Sequence, residues 1–337
     1  MTITTVKRLI LRVVAILAAV STAGPLAAQT DAQFTQYFEV PTYYNPAAAG
    51  ASPLLRIRAG SRLQWLGIDN APVTFIGLAD TKLKLGSKFV GVGALVQSES
   101  AGLYGNLTAG IQLAYKLKFL KGELTIGLQP GLINEKFKGS EVFIPDDDDY
   151  HQSVDEAIPT SDVAGTVFDL GAGLWYTHPR FWAGLSMTHL MSPTVTFSAS
   201  TDDGASGAVS EAKKFQFQAR RTLYFMGGCN IPIKNTLFEV MPSVMVMSDF
   251  SWTGAEITGR VRYNKFLSAG IGYRYNDAVS AMLSAEIKGF FIGYSFDYPI
   301  TAINKASSGS HEIFAGYSLK LDFSEKNKNK HKSIRIL

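Results

Sequence analysis

The chain is poor in the residues on which most soluble catalytic and nucleic-acid-binding folds depend. It has one cysteine, Cys229, in 337 residues, so it can form no internal disulfide and no cysteine-based metal knuckle. Cys229 lies in Met226-Gly227-Gly228-Cys229-Asn230, inside a predicted strand, and reads as a small packing residue. Charge is also scarce: 18% of residues are charged, against roughly 25% in average soluble proteins. The net charge of +4 is small for this length. Part of it sits near the N-terminus and part in the C-terminal tail, and no basic patch carries interleaved aromatics, so nucleic acid is not an expected partner. The five histidines are His151, His178, His189, His311 and His331. No two stand at a zinc-ligand spacing and no H-E-x-x-H occurs. They read as loop and strand-end residues, and no Ser/His/Asp constellation can be assembled around them. No enzyme activity, metal or cofactor is therefore expected. Gly91-x-Gly93 and Gly171-x-Gly173 lack the strand-to-helix context of a phosphate-binding loop. They fit bends or close packing in a barrel interior.

Long apolar runs are missing as well. Beyond residue 28 no stretch of about 18 apolar residues exists, so no transmembrane helix is expected. The N-terminus reads as an export signal. Lys7, Arg8 and Arg12 precede a short apolar core at 13–20 (VVAILAAV) and a small-residue stretch at 21–28 (STAGPLAA). This predicts a secretory signal peptide over 1–28, cut between Ala28 and Gln29, although Leu26 departs from an A-x-A site. No cysteine follows the cut, which excludes a lipoprotein anchor.

Glycine and aromatics are abundant, with 31 Gly, 21 Phe, 14 Tyr and 4 Trp, and they fall in alternating runs that suit a sheet. Leu267, Ala269, Ile271, Tyr273 and Tyr275 share one face of a predicted strand. Ser268, Gly270, Gly272, Arg274 and Asn276 share the other. Val279 to Lys288, Phe290 to Tyr298 and Thr253 to Asn264 repeat the pattern. Tyr and Phe gather near the ends of the apolar faces, as in interfacial girdles, and charges, Ser and Gly line the polar faces, as in a wet or plugged lumen. A membrane protein without spanning helices has to be a closed barrel, because every backbone polar group in lipid needs an internal partner.

The turn signals predict about fourteen strands, near 54–65, 74–85, 88–98, 104–118, 123–136, 163–177, 180–189, 214–231, 236–248, 253–264, 266–276, 278–288, 289–298 and 311–323. The longest connections, 137–162, 190–213 and 299–310, are the fifth, seventh and thirteenth. All are odd, and the even ones are tight. Long loops on one side and short turns on the other is the pattern of an outer-membrane barrel. The expected fold is thus all-β: a transmembrane antiparallel barrel over 54–323 with both termini periplasmic. It is preceded by a periplasmic or lumen-inserted segment at 29–53 and followed by a Lys-rich periplasmic tail at 324–337.

Several motifs resemble the PorP/SprF family. They are Gln33-Phe34-Thr35-Gln36-Tyr37, Tyr44-Asn45-Pro46-Ala47-Ala48-Ala49-Gly50, Arg62-x-Gln64-Trp65-x-Gly67 and Ala71-Pro72-x-Thr74. Gly184-Leu185-Ser186-x-x-His189-Leu190 and His311-Glu312 are weaker matches. The likeness covers essentially the whole chain after the signal; its N-terminal cluster is the specific part. It implies an outer-membrane protein of the type IX secretion system of Bacteroidetes, tied in some members to gliding motility. The implied partners are outer-membrane lipid, the periplasmic ring and linker proteins of that system, and exported surface proteins. Glu39-Val40-Pro41, where the family pattern leads one to expect an aromatic or Asn before the Pro, and the acidic run 146–149 depart from the pattern.

Two groups of residues stand out as candidate sites. Gln33, Phe34, Gln36, Tyr37, Tyr44, Asn45, Pro46 and Gly50 form a segment suited to plugging the lumen or to binding a partner. Pro46 and Gly50 set a turn, and the amides suit a polar interior. Arg56, Arg58, Arg62 and Gln64 share a face of the first strand. Arg260, Arg262 and Arg274, with Glu256 and Glu286, line neighbouring strands. They read as a charged lumen network of paired groups, or as a grip on the N-terminal segment or an exported chain. The acidic run 146–149 reads as a solvated loop; it lacks the glycine turn and ligand spacing of a calcium loop. The function that fits is a non-enzymatic subunit of the secretion machinery that anchors periplasmic components or retains exported cargo. A general channel for small solutes is the alternative.

Overall fold

The computed structural model describes residues 31–142, 161–198 and 214–321. The signal-peptide, tail and acidic-run expectations at 1–28, 324–337 and 146–149 lie outside these residues. Alternation puts apolar and polar side chains on opposite faces of each pleated strand. The result is a closed barrel of fourteen antiparallel strands. They are β1 (Leu55–Leu63), β2 (Val73–Leu85), β3 (Lys88–Ala101), β4 (Tyr104–Phe119), β5 (Gly122–Phe137), β6 (Val163–Thr177) and β7 (Phe181–Thr188). The second half comprises β8 (Thr222–Cys229), β9 (Phe238–Ser248), β10 (Thr253–Tyr263), β11 (Leu267–Arg274), β12 (Ala278–Ile287), β13 (Phe290–Pro299) and β14 (Ser310–Leu319). β1 pairs with β14, Arg62 standing opposite Glu312, and this pairing closes the sheet. Closure removes the edges, which is the condition for placing a sheet in hydrocarbon. No helix among the described residues is long and apolar enough to cross a membrane.

The third strand runs on to Ala101, past the expected 98, the last stops at Leu319, short of the expected 323, and one expected strand splits. The run 214–231 divides. Lys214–Gln218 pairs with Thr194–Ser198 in a separate hairpin that is not part of the barrel sheet, and β8 starts only at Thr222. Both pieces alternate in hydrophobicity, so periodicity alone does not part them. The break falls at Ala219-Arg220-Arg221, where the Ala219 N–H bonds back to Pro193 O at 3.0 Å.

The barrel is polar inside and apolar outside. Ile111, Ile271, Leu283, Ile292 and Phe290 are exposed on the outer wall. Arg58, Arg62, Gln112, Glu135, Glu256, Thr258, Arg274 and Asp297 are buried within it. Aromatics cluster at the strand ends, with Tyr104 and Phe137 in contact at one end and Phe238 and Tyr263, or Phe290 and Tyr317, at the other. The tight turns gather at the end that also holds the start of β1 and the finish of β14. Three of these turns place paired residues at positive φ: Leu120-Lys121, Asn264-Lys265 and Lys288-Gly289. That geometry matches the twist of the flanking strands. The long connections all lie at the opposite end.

Candidate functional site

The core of the molecule is the N-terminal segment itself. Residues 32–37 and 40–50 are buried inside the barrel. The segment carries three single turns: Tyr37–Glu39, Pro41–Tyr44 and Pro46–Ala48. Pro41 and Pro46 open two of these turns, where their missing N–H costs nothing. The Asn45 side chain accepts the Ala47 N–H at 2.9 Å, an N-cap that fixes the third turn.

At the long-loop end the segment meets charge. The Thr35 and Gln36 N–H groups donate to the two Glu312 carboxylate oxygens at 2.8 and 2.9 Å. The Thr35 hydroxyl donates to Asp297 at 2.7 Å. Arg62 pairs with Asp297 at 2.7 Å and Glu312 at 3.2 Å, and Arg274 pairs with Glu256 at 3.0 Å and Asp297 at 3.3 Å. Both guanidinium groups also donate to the Thr35 hydroxyl. Gln33 reaches Glu256 at 3.4 Å. Charges taken out of water persist only when paired and hydrogen-bonded; here the plug's own backbone supplies part of that satisfaction.

Asp31 closes this end. Its two carboxylate oxygens bond Thr188, Tyr224 and His189. His189 lies between Asp31 and Asp169, with each ring nitrogen 2.9 Å from a carboxylate oxygen. Two acceptors require two donors, so the imidazole is held as imidazolium. Burial alone would push its pKa down, but the flanking carboxylates, Asp31 first, raise it to about 10. Burial pushes the Asp31 carboxyl up, yet His189 and the hydroxyl donors hold it below the usual carboxylate value.

Midway down the lumen the contacts become aromatic. Phe34 meets Tyr43 and Phe314 edge-on, at 5.2 and 5.5 Å between ring centroids, and Tyr44 packs on Tyr224 at 5.2 Å. The Tyr44 hydroxyl accepts the Phe34 N–H at 2.8 Å, and Tyr37 donates to Ser243 at 2.9 Å. Arg260 lies over the Phe38 ring at 3.2 Å and pairs with Glu39 at 3.5 Å; Arg58 is 4.0 Å from Glu39.

Toward the short turns, glycines receive the segment. A Cβ on Gly127 would run into the Ala47 backbone, one on Gly91 into Ala49, and one on Gly173 into the Asn45 side chain. Asn45 donates to Leu174 O at 3.0 Å, Gln112 to Thr42 O at 2.6 Å, and Ser186 to Tyr44 O at 2.7 Å. Gly50, at φ +64°, presents its N–H to Asp80 at 2.9 Å, and Asp80 pairs with Arg56 at 3.1 Å.

A family model described as type IX secretion system membrane protein PorP/SprF matches residues 26–317. The chain belongs to that family. No curated protein matches it in sequence. Solved structures of similar shape include the toluene transporter TbuX of Ralstonia pickettii, 11% identical with a TM-score of 0.49, covering 84% of this chain and 94% of that one. The toluene transporter TodX of Pseudomonas putida is also 11% identical, with a TM-score of 0.46, and coverage is 86% and 95%. The translocator domain of the autotransporter NalP from Neisseria meningitidis is 10% identical, with a TM-score of 0.40 and coverage of 80% and 89%. The PorP/SprF family is one of secretion-system membrane proteins and not of enzymes.

In this PorP/SprF barrel the eight candidate segment residues, Gln33 through Gly50, all lie within the lumen. The candidate charged residues do not form one network. Arg62, Arg274 and Glu256 join Asp297 and Glu312 at the long-loop end. Arg58 and Arg260 flank Glu39 lower down, Arg56 pairs with Asp80, and Arg262 pairs with Glu239. Gln64 borders a small polar cavity beside Arg62, Trp65 and Arg274, and Glu286 stands half-buried near the short turns. Sequence reasoning did not single out Asp31, Thr35, Asp80, Asp169, His189, Asp297 and Glu312. Asp297 sits on the polar face of its strand, and Thr35, His189 and Glu312 lie in the family motifs; those were the available signals. His189 reads as a strand-end residue; it is in fact buried just past β7 at φ +52°. The start of β1 and the finish of β14 share the short-turn end. The first described residue, Asp31, lies at the other end, because the segment runs the length of the lumen.

Proposed function

We propose that this family member is a non-enzymatic, self-plugged barrel subunit of the type IX secretion machinery. It anchors periplasmic components of the machinery to the outer membrane, or retains exported proteins at the cell surface. The observation that carries the reading is the occupied lumen: residues 32–37 and 40–50 are buried in the space that a solute would need. A barrel filled by its own chain works through its surfaces and not through its bore. The parity of long and short connections supports a periplasmic short-turn end. Residues 1–28 act as a removable signal. N-terminal sequencing of protein from the outer membrane should begin at Gln29.

Deleting the gene should abolish export or surface display of type IX cargo. Crosslinking in intact envelopes should join the short-turn end to periplasmic machinery. Normal secretion without the gene would overturn the reading. The polar lumen lining favours a second reading, a channel for small solutes. Purified protein in planar bilayers is expected to be silent, and steady conductance would favour the channel.

A further inference from the structure

The outer wall carries a feature that a plugged barrel does not require. At the short-turn end, Phe119, Leu120, Leu124, Tyr176, His178 and Phe181 line an open apolar cleft of about 520 Å³. It lies between the β4–β5 turn and the β6–β7 turn. Beyond it, toward the middle of the membrane, the same strands expose Leu113, Leu117, Ile126, Leu128 and Leu174. The cleft is therefore continuous with the lipid-facing wall.

Its outer lip, away from the middle of the membrane, is a held turn flanked by polar groups. Leu120 and Lys121 form the turn at φ +41° and +63°. Paired positive φ is normally taken by Asn, Asp or Gly. The equivalent turns here use Asn264-Lys265 and Lys288-Gly289. A leucine in that position is a local departure that leaves an apolar side chain 74% exposed at the membrane edge. Such departures persist where the surroundings hold them, and Tyr176 does so. Its hydroxyl donates to Leu120 O at 2.8 Å, and Gly122 leaves room for the ring. Across the cleft His178 stacks on Phe181 with 4.7 Å between centroids. Its Nδ1 accepts the Arg180 N–H at 3.3 Å, so Nε2 is the nitrogen left to donate. Lys121 and Arg180 are exposed on the two turns that bound the cleft.

We propose that this cleft is a binding site for one anionic phospholipid of the surrounding leaflet. An acyl chain lies along Phe119, Leu124 and Phe181, and the phosphate is met by His178 Nε2–H, Arg180 and Lys121. The charge complementarity is specific in kind: an apolar floor open to hydrocarbon, with donors and cations only along the edge at the water interface. A bound lipid there would tie two neighbouring turns together on the end proposed to meet the periplasm. The inference needs the barrel to sit in a membrane, but it does not need the secretion role.

Native mass spectrometry of the intact mature protein in detergent, titrated with phosphatidylglycerol or phosphatidylcholine, tests it. Wild type should retain one phosphatidylglycerol in preference to phosphatidylcholine. Lys121→Glu with Arg180→Glu should weaken that retention about tenfold or more, as expected when basic residues near an anionic headgroup are reversed. Lys265→Glu with Lys288→Glu, on the same end but away from the cleft, should leave it unchanged. Heat-modifiable gel migration checks that each variant is folded. Equal retention of the two lipids, or equal loss from both double variants, would show only diffuse surface charge and overturn the site. A photoreactive residue in place of Leu120 should crosslink lipid in envelopes; a protein adduct there would overturn it too. Secretion assays on the same strains report separately on the proposed function.

Discussion

Near the long loops the N-terminal segment meets Arg62, Arg274, Asp297 and Glu312, whereas near the short turns it rests on Gly91, Gly127 and Gly173. The two ends hold one segment with a different balance of means. The upper end uses directional charge-assisted bonds, which are strong but depend on every partner being present. The lower end keeps a few directional bonds, such as Gly50 N–H to Asp80, but adds absence: glycines let backbone approach backbone, and much of the gain is packing. Substitution should therefore cost the upper end by leaving a charge unpaired and the lower end by steric expulsion.

Gly127→Val should have the largest effect. A branched side chain there collides with the Ala47 backbone, which cannot move without lifting the turn at Pro46–Ala48. The loss should exceed about 4 kcal/mol. It should appear as proteolytic access to residues 31–51 and as new conductance in planar bilayers. Asp297→Ala should come next. It strips a carboxylate from Arg62, Arg274 and the Thr35 hydroxyl at once, at about 3–5 kcal/mol for buried cations left without a partner. Denaturant unfolding in detergent measures it. Should Asp297→Ala prove costlier than Gly127→Val, the upper end is the anchor and the lower end only accommodates.

The clasp at Asp31 gives a pH test. His189 has its pKa raised to about 10, so its contribution is complete below the ordinary imidazole value and is lost as pH rises through about 10. Asp31 is shifted down, so its contribution is complete above the ordinary carboxylate value and is lost as pH falls below it. The hydrogen-exchange protection factors of Ala32–Phe34, corrected for the intrinsic base-catalysed rate, should fall at alkaline pH in wild type. His189→Gln should cost about 1.5–3 kcal/mol at neutral pH and remove the alkaline step. Tyr37→Phe breaks one bond to Ser243 and should cost about 1 kcal/mol. Gly259→Ala, on the outer wall where an added Cβ meets nothing within 4 Å, should stay within about 0.5 kcal/mol. If it does not, the contrast between lumen and outer wall has been drawn too sharply.

Much of this was legible in the order of residues. Period-two alternation named the inward set, so Arg56, Arg58 and Arg62 appear together on one face, as do Arg260, Arg262 and Arg274. Turn chemistry divided short connections from long ones. Strand ends were less legible: Lys214–Gln218 alternates as well as β8 does, and only its partner, Thr194–Ser198, assigns it elsewhere. The site was half legible. The unusual density of aromatic, amide and proline residues over 33–50 marked the segment, but no local pattern separated an internal plug from a partner-binding arm.

The sequence by itself determined most of the strands, their inverted polarity and the family, because side-chain alternation and turn residues are local properties carried by neighbours in the chain. Only the tertiary structure decided which charges meet and where the N-terminal segment lies. Thr35 contacts Asp297 and Glu312 across more than 250 residues of chain. Whether a buried carboxylate finds an arginine, a threonine or a backbone N–H depends on closing the barrel with the segment inside it, and no local pattern encodes that.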